Sequence, residues 1–395
     1  MTGAPGLPPL ALYVHFPWCV RKCPYCDFNS HALRGEVPEA DYIQTLLCDL
    51  EVQRAAVQGR ELVSVFFGGG TPSLFSPAAL ARLLGALRSA LEFAPDAEIT
   101  LEANPGTIEH GRFEAYRAAG INRVSLGAQS FDDGALRRLG RIHAAADTLR
   151  AVSELRQAGI ENFNLDLMYA LPEQDLPAAL ADIDSAIRLE PAHISHYELT
   201  LEPGTVFGGR PPAGLPDNER AFEMQLLCQQ RLAEAGYLQY EVSAYARTDR
   251  RCRHNLNYWR FGDYLGLGAG AHGKLSCIED DALRVERTWR EREPRRYRAG
   301  VRVTPALRRV PEQELPFEFV MNALRLREGF EEQQFEQRTG LAAAVLGASL
   351  ERLRARALLE RDGNRWFASA LGFRFLNDVV SEFLVSGADR GLRIG

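Results

Sequence analysis

The sequence predicts an α/β chain of six successive βαβ units with a small domain of helices and a hairpin behind them. Two observations lead there. From Ala11 to Ala235, short apolar runs alternate with stretches whose apolar residues recur at helical spacing, the rhythm of parallel βαβ units. The residues able to do chemistry fall at the C-terminal ends of those runs, where βα loops build the sites of such folds. Six units make either a doubly wound sheet or an incomplete (β/α) barrel.

The first run, Ala11 to Phe16, opens into a loop holding Cys19, Cys23 and Cys26, three of the chain's seven cysteines, spaced C-x3-C-x2-C. Thiolates are the usual ligands of iron–sulfur clusters, so three of them suit three irons of a 4Fe–4S cubane and leave the fourth open to another molecule. A zinc site completed by His15 or His31 is the competing reading. Zinc ligands come mostly as two separated pairs, and no second pair follows downstream, which favours the cluster.

This loop, with Tyr25 ahead of its last cysteine, resembles the signature of the radical S-adenosylmethionine (SAM) superfamily. The wider wording, Tyr13-Val14-His15-Phe16-Pro17-Trp18-Cys19 and Cys26-Asp27-Phe28-Asn29-Ser30-His31, is similar to the branch that holds oxygen-independent coproporphyrinogen III oxidase and its heme-chaperone relatives. In that superfamily the open iron takes the amino and carboxylate groups of SAM, and reduction of the cluster releases a 5′-deoxyadenosyl radical. The resemblance implies a 4Fe–4S cluster on Cys19, Cys23 and Cys26, SAM beside it, and a partial (β/α)6 radical SAM barrel rather than a doubly wound sheet.

The remaining units follow in order. Ile43, Leu46, Leu47 and Leu50 mark a helix from about Glu39 to Gln58, and Leu62 to Phe67 reads as a buried strand ending in Gly68-Gly69-Gly70-Thr71-Pro72. Ser76 caps a helix that begins with Pro77. Ile99 to Glu102, Arg123 to Leu126, Phe163 to Met168 and His193 to Leu199 are the later strands, with a closing helix from Asp217 to Ala235. Glycine lacks a Cβ, so Gly69 and Gly70 let backbone approach a ligand closely. By the resemblance, Gly69, Gly70, Thr71, Glu102, Gln129, Arg141 and Asp166 match contacts to SAM, with Tyr13 and Tyr25 as aromatics near the same site. Arg141 falls in a stretch that reads as helical, where a solvated arginine is the ordinary outcome.

Beyond Tyr240 the pattern changes. Gly262 to Gly273 is too glycine-rich for a helix interior and reads as a loop-rich lid or a glycine-lined pocket wall. His254-Asn255-Leu256-Asn257-Tyr258-Trp259 resembles the H-N-x-x-Y-W motif of heme chaperones, which makes His254 a candidate heme ligand beside stacking aromatics. A satisfied structural histidine competes with it. Residues 281–311, dense in arginine and proline, read as a connector whose charges form a solvated face. A helix over Pro316 to Leu326, a helix pair to Arg356 and a hairpin turned by Asp362-Gly363-Asn364 then suggest a winged-helix-like domain. The expected division is 1–240 for the barrel, 241–311 for the glycine and aromatic region with its connector, and 312–395 for the last domain.

A net charge of −6 and the absence of a basic recognition face argue against nucleic acid. Seven cysteines, no signal-like start and no apolar run of about 18 residues indicate a reducing cytoplasm. Three readings remain: a heme chaperone holding cluster, SAM and heme, the oxidase itself, or a purely structural cluster or zinc module. The oxidase motif carries a further cysteine where this chain has Phe28, and only twelve residues precede Tyr13 where the oxidase has a longer leader. Both features, with His254, favour the chaperone. The resemblance then implies heme-accepting partner proteins, a peripheral membrane-side recipient among them, an electron donor for the cluster, and a homodimer as a compatible assembly.

Overall fold

The computed structural model describes residues 6–107, 112–300 and 304–384. Parts of the expected connector (301–303) and of the last domain (385–395) lie outside these residues, as do residues 108–111 in the helix expected before Gly120.

Strand β1 (Leu10–Phe16) leads into the cysteine loop, whose base is clasped by a two-residue parallel ladder of β2 (Trp18–Cys19) and β3 (His31–Ala32). Five more strands, β4 (Glu61–Gly69), β5 (Glu92–Ala103), β6 (Arg123–Gln129), β7 (Phe163–Tyr169) and β8 (His193–Glu198), pair in parallel in the order β1-β4-β5-β6-β7-β8. These are the six expected strands, and their consecutive order is that of a partial barrel rather than of a doubly wound sheet. Helices cover the outer face because each carries one apolar stripe. On the helix Pro77–Ala90, for example, Leu80, Leu83, Leu84 and Leu87 are the buried residues. Ser76 caps that helix by accepting from the Ala79 N–H at 3.2 Å, and Asp132, Asp175 and Asp217 cap later ones in the same way. Each such cap is worth about 1 kcal/mol.

The sheet does not stop at six strands. β9 (Leu238–Glu241) and β10 (Ala244–Ala246) add antiparallel at the β8 edge. At the other edge β11 (Asp263–Leu267) lies parallel to β1, and β12 (His272–Glu279), β13 (Ala282–Trp289) and β14 (Ala306–Arg309) continue antiparallel, giving twelve strands.

Three expectations change here. The glycine-rich stretch is strand on either side of a tight turn, because Gly266 and Gly273 sit where a Cβ would meet His272 backbone and the Thr288 hydroxyl. The expected connector is strand β13, a helix over Pro294–Gly300 and strand β14. Its arginines hid the period-two alternation that buries Leu283 and Val285. Most of those arginines pair with acids, as in Arg284 with Glu312 and Arg287 with Glu318, but Arg290 is buried against Asp49 rather than solvated. Finally, Arg253–Trp259, the motif-bearing segment, is a helix.

The last domain matches its reading. Helices Leu315–Ala323, Glu332–Thr339 and Ala344–Ala355 pack with a small sheet of β15 (Phe330–Glu331), β16 (Leu359–Asp362) and β17 (Arg365–Ala368), ordered β15-β17-β16. Its core gathers Phe319, Phe335, Leu350 and Trp366, and it takes in Phe261 and Val285 from the barrel side. Phe319 meets Phe330 and Phe335 edge-on at 5.1 Å. No helix among the described residues is long and apolar enough to cross a membrane.

Candidate functional site

At the C-terminal mouth of the barrel, Cys19, Cys23 and Cys26 share one cavity of about 340 Å³ with Tyr25, Gly69, Gly70, Thr71, Glu102, Gln129, Arg141 and Asp166. These eleven residues come from strand ends and βα connections scattered between residues 19 and 166, and the parallel register brings them together. Tyr13 and His254 are not among the walls of this cavity.

The cysteine loop is held from both sides. The glycine turn zips onto its approach strand, with Gly70 N–H donating to Phe16 O at 2.7 Å and Thr71 N–H to Trp18 O at 2.8 Å. A Cβ on Gly70 would lie 2.5 Å from Trp18 O, and one on Gly69 would lie 2.4 Å from the His15 ring. The glycines thus serve an approach of turn to loop, beyond the approach of backbone to ligand that the sequence suggested. His15 is fully engaged, its Nδ1 with the Tyr13 hydroxyl and its Nε2 with Asn29 O, both at 2.9 Å. His31 shares its Nε2 with Asn29 Oδ1. His15 therefore has no ring nitrogen left to complete a zinc site.

The sulfur spacing carries the same message. A single zinc at 2.3 Å from each sulfur requires sulfurs about 3.8 Å apart. Among the described residues, the donor set that gathers within 4.8 Å is Cys277, Glu279 and Glu286, where Arg309 already neutralises both acids. The three loop cysteines do not all gather within that distance. Burial raises the thiol pKa of Cys19 and of Cys26, opposed by hydrogen bonds from Thr71 and Ser30 respectively.

Polar groups line the rest of the cavity in fixed poses. Glu102 accepts from Gly69 N–H at 3.0 Å, and burial, then the nearby Asp166, push its carboxyl up to about 8. Asp166 accepts from Asn164 at 2.7 Å and Ser125 at 3.2 Å, and burial raises it too. Gln129 sits at φ +68 and accepts from the Tyr197 hydroxyl at 2.9 Å. Its turn is pinned by Asp182, which accepts from Ser130 Oγ at 2.8 Å and Phe131 N–H at 2.6 Å. Arg141 lies in a turn between helices Asp133–Arg138 and Ala145–Gln157, not within either. Its guanidinium donates to Gly127 O at 2.9 Å and points at Cys23 Sγ at 3.7 Å.

His254 sits deeper than its motif suggested. It is 2% exposed, stacks on Phe66 at 4.9 Å, and shares Nδ1 with the Ser64 hydroxyl at 2.9 Å. Its Nε2 has no hydrogen-bond partner and faces a chamber of about 240 Å³ shared with Tyr13, Arg123 and Asp166. Sequence reading missed Ser30, Ser125, Met168 and Tyr197, all on the wall of the main cavity. The alternation of inward and outward residues along β6, β7 and β8 is the signal that finds the last three.

A radical SAM superfamily model matches residues 13–183, and a HemN C-terminal domain model matches residues 310–375. The sequence is 49% identical to the heme chaperone HemW of Escherichia coli K12 and 47% to that of Haemophilus influenzae, in each case across 96% of this chain and 99% of the relative. Mycobacterium tuberculosis HemW is 35% identical across 96% of this chain and 97% of its own. Among solved structures, Escherichia coli coproporphyrinogen III oxidase, a radical SAM enzyme, superposes with a TM-score of 0.80 over 95% of this chain and 90% of that one. At 24% identity that is a likeness of fold alone. The superfamily match implies a 4Fe–4S cluster and SAM, and the three-thiol cavity has the donors for them. With relatives matched end to end at close to half identity, the chain belongs to the heme chaperone HemW family of radical SAM proteins.

Proposed function

We propose that this chain is a heme chaperone that holds a 4Fe–4S cluster and SAM at the barrel mouth, binds heme, and passes it to a recipient protein. What carries the reading is Phe28, a large apolar ring at the edge of the three-thiol cavity where the oxidase motif carries a further cysteine. Full-length relatives named heme chaperones support it. A reduced cluster with SAM bound supplies radical chemistry. The chain's own residues do the rest. Cys19, Cys23 and Cys26 hold three irons, and Arg141 keeps a positive charge against Cys23. Glu102 and Asp166 would supply the carboxyl groups that suit the cationic groups of SAM, with Thr71, Gln129 and Tyr25 completing the wall. His254 is held beneath these walls, its Nδ1 shared with the Ser64 hydroxyl and its ring stacked on Phe66.

Anaerobically reconstituted protein is expected to carry about four irons and four sulfides per chain, and to bind heme. It should not restore growth to a strain lacking its own coproporphyrinogen III oxidase. Rescue of that strain would return the oxidase reading, and a cluster-loaded protein indifferent to heme would remove the chaperone reading.

The electrostatics give a second expectation. Near pH 7 Glu102 is mostly protonated, since its pKa is about 8. The ammonium and sulfonium of SAM favour the carboxylate, so binding pulls this proton off. Calorimetry in buffers of different ionisation enthalpy should show release of about one proton per SAM at pH 7, fading above pH 9 where Glu102 is already ionised. Glu102→Gln should abolish the release. An unchanged proton count in that variant removes Glu102 from the SAM site.

A further inference from the structure

Beside the cysteine loop, on the β11–β12 edge of the barrel, lies a second cleft of about 370 Å³. Tyr13, Tyr258 and Tyr264 form its aromatic walls, and Phe28, His272 and Arg292 stand at its rim. Phe28 is 58% exposed and, with Asp27, Gly69 and Glu102, lines both this cleft and the SAM-type cavity, so the two adjoin. The Tyr258 and Tyr264 rings meet at 4.3 Å, and Arg287 fixes the Tyr264 hydroxyl at 2.8 Å. A wall so pinned presents flat faces rather than mobile side chains.

The rim carries chemistry that the walls lack. His272 is the exposed histidine of the described residues; His15, His143, His193, His196 and His254 are buried. Among the described residues no hydrogen bond engages its ring. Partial desolvation in the cleft, then Arg292 and Arg287, lower its pKa, which leaves a neutral imidazole with a free lone pair at pH 7. Arg292 is exposed and forms no ion pair among the described residues, while its backbone is fixed by Asn29 Nδ2 donating to Arg292 O at 2.9 Å. His254, by contrast, faces a chamber of about 240 Å³, below the roughly 300–1,000 Å³ of pockets that enclose drug-sized ligands.

We propose that this cleft seats heme, with the His272 imidazole on the iron and the Arg292 guanidinium on a propionate. The assignment rests on the heme-chaperone reading. Flat aromatic walls, a neutral nitrogen ligand and an unpaired cation together match a planar iron macrocycle with anionic edges. The opening at Phe28, His272 and Arg292 lets the macrocycle enter edge first and remain partly outside, as a cargo to be handed on requires. His254 acts from beneath, since it meets Tyr258 edge-on at 5.0 Å and lies 6.4 Å from the Tyr13 ring. It is a positioning residue for the cleft's wall.

The test titrates cluster-loaded protein anaerobically with hemin, and with dithionite-reduced heme, following the Soret difference spectrum. His272→Ala should weaken binding about tenfold or more and change the ligand signature, with added imidazole restoring the spectrum of His272→Gly. Arg292→Glu should weaken binding with the spectrum kept, and His254→Ala should do the same. If wild-type protein binds heme and His272→Ala matches it in affinity and spectrum, the assignment is overturned while the chaperone reading stands. If His254→Ala rather than His272→Ala changes the ligand signature, the iron sits in the inner chamber and the assignment is likewise overturned. Wild-type protein that takes no heme overturns the assignment together with the reading beneath it.

Discussion

Replacing Cys19, Cys23 and Cys26 together by alanine is expected to take bound iron from about four per chain to none while leaving the barrel folded. The loss is complete because no other described donor set surrounds the cavity with thiols. The fold survives because the cysteines are only half-buried and lie outside the main apolar core, which runs from Leu10 and Leu12 through Leu167 to Leu267. The loop's path is set by main-chain bonds that alanine keeps: His31 N–H to Pro17 O at 2.7 Å, Leu33 N–H to Cys19 O at 2.8 Å, and the two bonds from the glycine turn. Far-UV circular dichroism and the urea midpoint should therefore stay close to wild type. The effect of SAM on the reduced cluster's paramagnetic signal should vanish with the signal. Retained iron would mean that other ligands hold it, and collapse of the fold would mean that the thiols are structural.

What the sequence made legible follows from how each element is stabilised. β4, β7 and the helices between them are held by apolar burial, and their runs are long enough to show it. The turn at Asp362-Gly363-Asn364 was legible because Gly363 supplies a left-handed φ of +58 that local chemistry demands. Strand β13 was not, because its inward Leu283 and Val285 are outnumbered by arginines whose charges are balanced by Glu312 and Glu318 from the next segment. Nothing local announces those partners. The surroundings of His254 were not legible in its hexapeptide, because Ser64 and Phe66 of β4, some 190 residues earlier, bury it. Tyr13 has the same history. The resemblance set it near the SAM site, and it lines the two cavities beside and beneath the three-thiol one, tethered through His15. The cysteines and strand-end acids were legible because their role depends on spacing and on strand direction, both of which are written in one dimension.

Gly69→Ala should be the most damaging single substitution in the site. Gly69 holds φ +115, a region that side-chain-bearing residues rarely adopt, at a cost of about 1–3 kcal/mol. The added Cβ would stand 2.4 Å from His15 Cε1 and 2.6 Å from its Nδ1. The ring cannot step aside freely, because its two nitrogens hold Tyr13 and Asn29, each bond contributing about 0.5–1.5 kcal/mol. Asn29 in turn donates to Ala269 O and Arg292 O, so a shift of His15 loosens the far limb of the cysteine loop from the β11–β12 turn and from the segment after β13. The expected result is a urea midpoint lowered by the equivalent of about 3 kcal/mol, with poor cluster yield and weak SAM binding in the fraction that folds. Gly85→Ala is the matched control: it lies inside the helix Pro77–Ala90 with nothing within 4 Å of the new Cβ, and should stabilise by about 0.5–1 kcal/mol. Adding His15→Ala to Gly69→Ala separates the two causes, since it removes the clash and keeps the strained φ. Partial recovery of stability without recovery of the cluster is expected, because the tether to Asn29 is then gone. A Gly69→Ala protein with wild-type midpoint and full iron would show that the turn and the His15 ring move independently.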